Sequence, residues 1–297
     1  MKVFVTGATG FVGSAVVQEL IKAGHKVLGL ARSEDAAKSL IAIGAEAHRG
    51  DLEDLESLRS GVAVTDGVIH TGFIHDFSRF KEVCETDRKV IETIGSALAG
   101  SDCPFIITSG TALVAKGKLA VEEDMPSPGH NPRIASEQAA DAVAALGVRV
   151  AVVRLPPSVH GDGDHGFVPL LINLARQKGI SVYKGEGLNR WPSVHRLDAA
   201  SLYRLALENT FVPGTRFHAV AEEGVAFKDI AQVIGKRLNI PVISKSPEEA
   251  DLHFGWFAHF ASLDNSSSSK HTREILGWKP VQPELLVDID RESYFKI

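Results

Sequence analysis

Short apolar runs alternate with stretches of helical periodicity through the first half of the chain. Such runs are typical of strands that are buried on both faces of a sheet. They lie at residues 3–6, 27–30, 68–71, 105–108 and 148–154. Strands separated by helices in this order imply right-handed crossovers, so the pattern predicts an α/β fold with a mostly parallel, doubly wound sheet.

Two of the helical stretches carry recognisable ends. The stretch after the first run places four apolar side chains on one face, Val12, Val16, Val17 and Leu20. It is predicted to end at Gly24, which suits a left-handed cap. A second helix is predicted to begin with Asn131 as N-cap and Pro132 at its first position, and to end at Gly147.

A glycine-rich turn, Thr6-Gly7-Ala8-Thr9-Gly10-Phe11-Val12-Gly13, joins the first predicted strand to the first helix. In this context Gly7 allows the tight turn, Gly10 allows backbone to approach a diphosphate, and Gly13 allows close packing of helix on strand. Free N–H groups at the start of the helix would face the anion. The turn predicts a dinucleotide site, with ordinary loop punctuation as the alternative.

The end of the second predicted strand bears on the choice of dinucleotide. A carboxylate there usually accepts from the ribose 2′-hydroxyl, whereas an arginine accommodates a 2′-phosphate. The strand ends in Leu30-Ala31-Arg32-Ser33. We therefore expect NADP(H) to be preferred, with NAD(H) possible, because Glu34 or Asp35 could serve as the acid and Arg32 could be an ordinary surface charge.

The regular alternation changes near residue 155, where prolines and the loop 160–166 interrupt it. We predict a dinucleotide-binding core at residues 1–155. Residues 156–297 are predicted to supply the remaining sheet strands, interleaved with a small C-terminal substrate-binding lobe. Ligands of such sheets bind at the carboxyl ends of the strands.

Composition narrows the classes of function. The net charge of −5, without a run of Lys and Arg, argues against a nucleic-acid partner. The 2 cysteines have neither disulfide-framework nor zinc-site spacing, so no metal is expected. Residues 1–6 enter a strand pattern at once, and no apolar run approaches the roughly 20 residues of a membrane helix. We expect a cytoplasmic protein without a membrane partner.

Several further segments, in the expected order, resemble the extended short-chain dehydrogenase/reductase family, the NAD-dependent epimerase/dehydratase group. They are Gly50-Asp51-Leu52, Val68-Ile69-His70-Thr71-Gly72, residues 154–161, residues 195–198 and Leu276-Gly277-Trp278-Lys279-Pro280. The resemblance implies a Rossmann fold and a homodimer formed through two long helices. With the glycine turn and Arg32, it implies cofactor contacts from Gly7, Thr9, Gly10, Phe11, Val12, Arg32, Ser33, Asp51, Leu52, Thr71, Gly72, Thr108, Leu155, Pro156 and Ser158.

The chain departs from that family at the active site. Members carry Tyr-x-x-x-Lys after the fifth strand, where the Lys lowers the pKa of the Tyr so that it can move a proton. The matching frame here reads Arg133-Ile134-Ala135-Ser136-Glu137, and the 3 tyrosines lie far downstream. Gly110 stands at the usual serine or threonine position, which leaves Ser109 and Thr111 as candidates to bind a substrate carbonyl or as plain strand-end hydroxyls.

Four residues remain as catalytic candidates: Ser109, Thr111, Arg133 and His165. Arg133 could stabilise an oxyanion, or it could merely pair with Glu137 four residues on. Histidine as a residue type titrates near neutrality, so His165, or His160 in the same loop, could supply a proton. The glycines of this loop give no defined metal geometry.

The leading hypothesis is an NADP-preferring oxidoreductase that acts on a small carbonyl compound or alcohol. The main alternative is a non-catalytic NADP-binding sensor or regulatory protein, which would also explain the missing dyad. A sugar-nucleotide epimerase or dehydratase is disfavoured because those reactions rely on the absent tyrosine.

Overall fold

The computed structural model describes residues 1–114, 117–127 and 131–296. Its strands are β1 (Lys2–Thr6), β2 (Lys26–Ala31), β3 (Glu46–Arg49), β4 (Gly67–His70), β5 (Phe105–Gly110), β6 (Val150–Leu155), β7 (Ser158–His160), β8 (Ser181–Lys184), β9 (Arg190–His195), β10 (Thr215–His218), β11 (Glu222–Ala226) and β12 (Val242–Lys245). Its helices are α1 (Phe11–Lys22), α2 (Glu34–Ala42), α3 (Leu55–Val62), α4 (Phe80–Leu98), α5 (Ile134–Ala145), α6 (Phe167–Lys178), α7 (Arg196–Glu208), α8 (Phe227–Leu238), α9 (Pro247–Phe254), α10 (Ala258–Ala261), α11 (Lys270–Leu276) and α12 (Leu285–Ile289).

Seven parallel strands form the main sheet in the order β10-β6-β5-β4-β1-β2-β3. The prediction of a doubly wound α/β sheet is confirmed. The strand order reverses between β1 and β4, and ligands of such sheets bind at that point, beyond the carboxyl ends of the strands. The glycine turn follows β1 and therefore lies at this edge.

Alternating side chains of the strands build a core on each face of the sheet. Val3 and Val5 join one apolar cluster with α1 and α7, whereas Phe4 joins the other with α3, α4 and α5. Both faces are covered, so the inner strands read as continuous apolar runs. This explains why the sequence pattern located all five of them.

The sequence pattern did not predict the two edge strands, β3 and β10. β3 reads Glu-Ala-His-Arg and β10 reads Thr-Arg-Phe-His, and both are partly exposed. Each has only one neighbour in the sheet, so polar residues are tolerated there. The start of α5 was predicted too early in the chain. Asn131 Oδ1 accepts from the Arg133 N–H at 3.1 Å in a turn that precedes the helix, and the helix itself begins at Ile134.

Residues 156–297 return one strand, β10, to the main sheet and form two smaller sheets. One contains β11, β9 and β7, and the other contains β12 and β8. A third apolar cluster, which includes Trp191, Phe227 and Phe257, joins these strands to α6, α8 and α9. We call the part of the chain that forms these two smaller sheets and this third cluster the lobe. Among the described residues, no helix combines the length and apolarity needed to cross a membrane.

Candidate active site

The glycine turn leaves main chain bare at the start of α1. Gly7 has φ +65°, and a Cβ on it would lie 2.6 Å from the Gly72 amide nitrogen. A Cβ on Gly13 would lie 2.0 Å from the Gly7 carbonyl oxygen. Gly10 is the N-cap of α1 and offers no side-chain cap, so the first N–H groups of the helix are free for an anion. This cradle fits the diphosphate of a dinucleotide.

The segment after β4 closes one side of this cradle. Thr71 Oγ1 donates to the Thr6 carbonyl at 2.8 Å, and the Gly72 N–H donates to Thr6 Oγ1 at 3.3 Å. Thr9 is exposed, while Phe11 and Val12 are half-buried. The predicted contacts of the turn and of residues 71–72 therefore converge on one cleft.

The residues predicted to hold the adenosine end lie after β2 and β3. Arg32 is exposed and forms no hydrogen bond or ion pair with other described residues. Ser33 Oγ caps α2 by accepting from the Ala36 N–H at 3.1 Å. Asp51 Oδ1 accepts from the Glu53 N–H at 2.7 Å, and Leu52 packs beside Gly72. These positions suit a ribose and a base.

A chain of buried polar groups runs beneath the position where the family carries its tyrosine. Thr6 Oγ1 lies 2.6 Å from His70 Nδ1, and His70 Nε2 lies 2.9 Å from Asp87 Oδ1. Arg133 Nη1 donates to Asp87 Oδ2 at 2.6 Å. Burial alone would raise the pKa of Asp87, but the charge of Arg133 and the bonds from His70 and Ser136 hold it well below its usual range.

Arg133 is thus fixed by a partner that is distant in sequence. Its Nη2 also donates to the Thr108 carbonyl at 3.1 Å, and its guanidinium lies 4.2 Å from the centre of the Phe73 ring. The described residues leave its Nε–H and one Nη2–H without an acceptor. The side chain is 17% exposed, so these two N–H groups can reach a ligand. The alternative pair between Arg133 and Glu137 does not form.

Glu137 stands at the position of the family's lysine and has its own counter-charge. Arg154 donates to its two carboxylate oxygens at 2.9 and 2.8 Å, and Ser109 Oγ donates at 2.8 Å. Although burial opposes it, this pairing keeps the pKa of Glu137 below its usual value. Ser109 is 4% exposed, so its hydroxyl is committed to Glu137 and offers a ligand at most an acceptor.

The other hydroxyl candidates differ in their surroundings. Thr111 is completely buried, and its Oγ1 lies 2.7 Å from the Asn265 amide. Its hydroxyl has no access to the cleft and supports the loop instead. Thr108 Oγ1 donates to the His70 carbonyl at 2.8 Å and lies 2.6 Å from the Tyr203 hydroxyl. The protein itself therefore engages this hydroxyl, and a contact of Thr108 with the cofactor stays a prediction.

The loops that follow β4 and β7 each carry a histidine, His75 and His165. The exposed His165 packs edge-on against Phe11 with ring centres 5.6 Å apart, and its Nδ1 lies 3.1 Å from the Gly163 carbonyl oxygen. The pKa of His75 is lowered by desolvation of its ring and then by the positive charges of His165 and Arg133. His75 therefore lies within electrostatic range of both the Arg133 guanidinium and the His165 ring.

The segment after β6 forms the remaining wall. Leu155 is half-buried and Pro156 is buried. Ser158 is also buried, and its Oγ has no hydrogen-bond partner among the described residues, which leaves it available to a bound group. In the next loop, burial raises the pKa of Asp164 to about 6. Among the described residues, no group of three or more His, Cys, Asp or Glu side chains is arranged to hold a metal.

Sequence reasoning missed Asp87 and His75. Asp87 did leave a signal, because it falls on the apolar face of α4 among Val83, Val90 and Ile91. A charged residue inside an apolar stripe requires a buried partner. His75 left none, because it lies in a loop whose path is set only by the fold.

The sheet order, the bare glycine turn and the residues at the carboxyl edge define a Rossmann protein of the extended short-chain dehydrogenase/reductase class. The model of the NAD dependent epimerase/dehydratase family matches residues 3–218, and the chain belongs to this family. It is 52% identical to an uncharacterized protein of Schizosaccharomyces pombe over 99% of this chain and 100% of the relative.

Other similar proteins have descriptive names. The chain is 29% identical to the 2-alkyl-3-oxoalkanoate reductase of Stenotrophomonas maltophilia, over 72% of this chain and 67% of that one. A dTDP-glucose 4,6-dehydratase of Streptomyces venezuelae, solved with NAD bound, covers 99% of this chain and 97% of its own at 18% identity, with a TM-score of 0.79. The latter similarity concerns the fold.

Proposed function

We propose that this protein is an NADP(H)-preferring oxidoreductase that interconverts a small carbonyl compound and its alcohol. The observation that carries the proposal is Arg133, which stands at the family's tyrosine position with two free N–H groups, anchored by buried Asp87 beside the cleft of the glycine turn. A related reductase of a 3-oxoalkanoate supports a carbonyl substrate.

The chain's own residues would hold the cofactor at three points. Gly7, Gly10 and the start of α1 would receive the diphosphate, and Ser158, after β6, offers a buried hydroxyl to which no described residue is hydrogen-bonded. Arg32 supports NADP(H) over NAD(H), because it is exposed and has no ion-pair partner in the part of the chain that the structure describes. The nearby Glu34 carboxylate lies 3.6 Å from Arg49 Nη1, so its charge is partly balanced.

When bound, the nicotinamide ring supplies a hydride to a carbonyl carbon or accepts one from an alcohol. Arg133 binds the carbonyl oxygen through its free N–H groups and stabilises the negative charge that develops there. The imidazolium of His165 then gives its proton to that oxygen and becomes neutral imidazole. Arginine itself cannot donate this proton because its pKa is too high. In the alcohol direction, neutral His165 takes the proton.

Turnover with a panel of ketones and aldehydes tests the proposal, with NADPH consumption as the measurement. We expect Arg133→Ala to lower kcat/KM roughly a hundredfold while NADPH affinity stays within about threefold. Arg133→Lys keeps a counter-charge for Asp87 and should lose less. Arg59→Ala, which removes an exposed guanidinium from α3, is the control and should retain wild-type rates.

A non-catalytic NADP-binding sensor is the second candidate. It is favoured because Gly110 stands at the family's serine or threonine position and the hydroxyl of the neighbouring Ser109 is committed to Glu137. NADPH binding without turnover across the panel would establish it. An epimerase or dehydratase is disfavoured, because Arg133 occupies the position of the family's tyrosine and no tyrosine replaces it at the described site.

We also propose a homodimer through α4 and α5, as the family resemblance implies. These helices pack against each other beside the sheet. Sedimentation at micromolar concentration tests this proposal: a dimer supports it and a monomer overturns it.

A further inference from the structure

A continuous line of aromatic rings leads away from Arg133. Phe73 lies beneath the guanidinium, and its ring centre is 5.5 Å from that of His75. His75 is in turn 6.4 Å from Phe77. Because all three follow β4, they extend from the carboxyl edge of the sheet toward the lobe.

The line continues across to the lobe. The ring centre of Phe77 is 5.9 Å from that of Trp256 and 6.5 Å from that of Phe260. Phe260 lies 4.8 Å from Phe167, the first residue of α6. We call Phe73, His75, Phe77, Trp256, Phe260 and Phe167 the aromatic path. It begins at the proposed reaction site and includes residues from both the sheet side and the lobe.

Two members of the path are unusually open to water. Phe77 is 43% exposed and Trp256 is 63% exposed, whereas Trp191 and Trp278 are 0% and 1% exposed. Facing apolar rings from the core and from the lobe present a surface that gains stability when an apolar group covers it. The nearest charged groups on the sheet side, Asp76 and Arg79, pair with each other at 2.9 Å. They offer no free cation for a diphosphate.

We propose that the aromatic path binds the alkyl or aryl body of the substrate, so that the protein acts on apolar carbonyl compounds and their alcohols. This inference rests on the proposed oxidoreductase function. The path begins at the ring under Arg133, so a carbonyl held by Arg133 places its attached chain along Phe77 and Trp256. A substrate therefore fits this surface better than a protein partner does, because a surface for a protein would not be expected to end at the buried ion pair of Arg133 and Asp87.

A series of straight-chain aldehydes from propanal to octanal tests the inference through kcat/KM with NADPH. Each buried methylene should raise kcat/KM about fourfold. In Trp256→Ala the ratio of kcat/KM for octanal to that for propanal should fall at least tenfold, and Trp256→Phe should keep most of it. Val212→Ala alters another exposed apolar side chain, 75% exposed and outside the path, and should leave both values unchanged.

Tryptophan fluorescence gives a second readout that needs no turnover. Since Trp191 and Trp278 are buried, Trp256 dominates the fluorescence emission that comes from solvent-exposed tryptophan. Octanamide, an unreactive carbonyl probe, should shift this emission to shorter wavelength and bind at least tenfold more tightly than butanamide. The shift should vanish in Trp256→Phe.

The two proposals fail in different ways. Turnover that is independent of chain length, or unchanged in Trp256→Ala, would overturn the aromatic path and leave the oxidoreductase proposal intact. Octanamide binding without any turnover would support the path and contradict the oxidoreductase. An oligomer that dissociates in Trp256→Ala, with unchanged selectivity, would show that a second copy covers the rings and would also overturn the inference.

Discussion

At the scale of single residues, both replacements in the family's Tyr-x-x-x-Lys frame are accompanied by an ion-pair partner. Arg133 and Glu137 replace a Tyr and Lys of the family frame, and each has a buried partner of opposite charge, Asp87 and Arg154. A buried charge without a partner costs several kcal/mol, so neither replacement is stable alone. The frame therefore keeps its place in the fold while its chemistry changes.

Asp87→Asn tests this dependence. It leaves Arg133 next to a neutral amide and replaces one of the two carboxylate oxygens, which face His70 and Ser136, with an NH2 group that cannot accept. We expect the free energy of unfolding to fall by about 3 kcal/mol in urea titrations. Asp251→Asn, which removes an exposed carboxylate from α9, is the control and should change stability by less than about 0.5 kcal/mol. Equal effects of the two variants would refute a structural role for Asp87.

The buried His218 is expected to make the stability of the fold depend on pH. Its Nε2 lies 3.2 Å from Arg154 Nη1 and its Nδ1 lies 2.8 Å from the Ser268 carbonyl, so it is held neutral. Burial, followed by the charge of Arg154, lowers its pKa to about 4, although Glu137 and Asp124 act in the opposite direction. The unfolded chain binds this proton near pH 6.5, so between pH 6.5 and 4 the unfolded state gains protons first.

Stability should therefore fall as the pH drops from 6.5 toward 4, with a contribution from His218 of roughly 1 kcal/mol per pH unit. His218→Gln can keep a donor and an acceptor but does not titrate. Urea unfolding at several pH values should give a shallower slope for this variant than for the wild type. Identical slopes would mean that His218 is not held neutral in the fold.

At the scale of elements, the decisive feature is the uncapped start of α1. Gly10 has φ −75° and ψ 174°, an extended conformation in which Asp is a favourable N-cap. In Gly10→Asp, the new carboxylate would satisfy the free N–H groups and repel a diphosphate. We expect stability to be unchanged or raised by up to about 1 kcal/mol, whereas NADPH affinity falls at least tenfold.

Thermal unfolding and fluorescence titration with NADPH measure these two effects. The opposite signs matter, because general damage to the turn would lower both quantities. Gly24→Ala at the other end of α1 serves as the control, since it strains the backbone at φ +86° away from the cleft. It should lower stability and spare NADPH affinity.

The elements also show what the sequence can predict. β1, β2, β4, β5 and β6 are buried on both faces, so their apolar runs located them, while β3 and β10 lie at the edges and carry polar residues. The glycine turn was predictable because its function is written in consecutive residues. Asp87 and Arg154 were not assigned as partners, because pairing across 46 and 17 positions is decided by the packing of α5 against α4 and β6.

At the scale of the whole molecule, the cleft lies between the carboxyl edge of the sheet and the lobe. The sheet side supplies the bare turn, Arg133 and His75, while His165 and Trp256 come from residues beyond 155. Both the proposed proton transfer and the proposed substrate surface thus combine residues from before and after position 155.

Calorimetric titration of the folded protein with NADPH and NADH tests the central claim most directly. The account predicts measurable heat with both nucleotides, NADPH affinity at least tenfold higher, and loss of that preference in Arg32→Ala with little change for NADH. Absence of heat with either nucleotide, in oxidised or reduced form, would contradict the account as a whole.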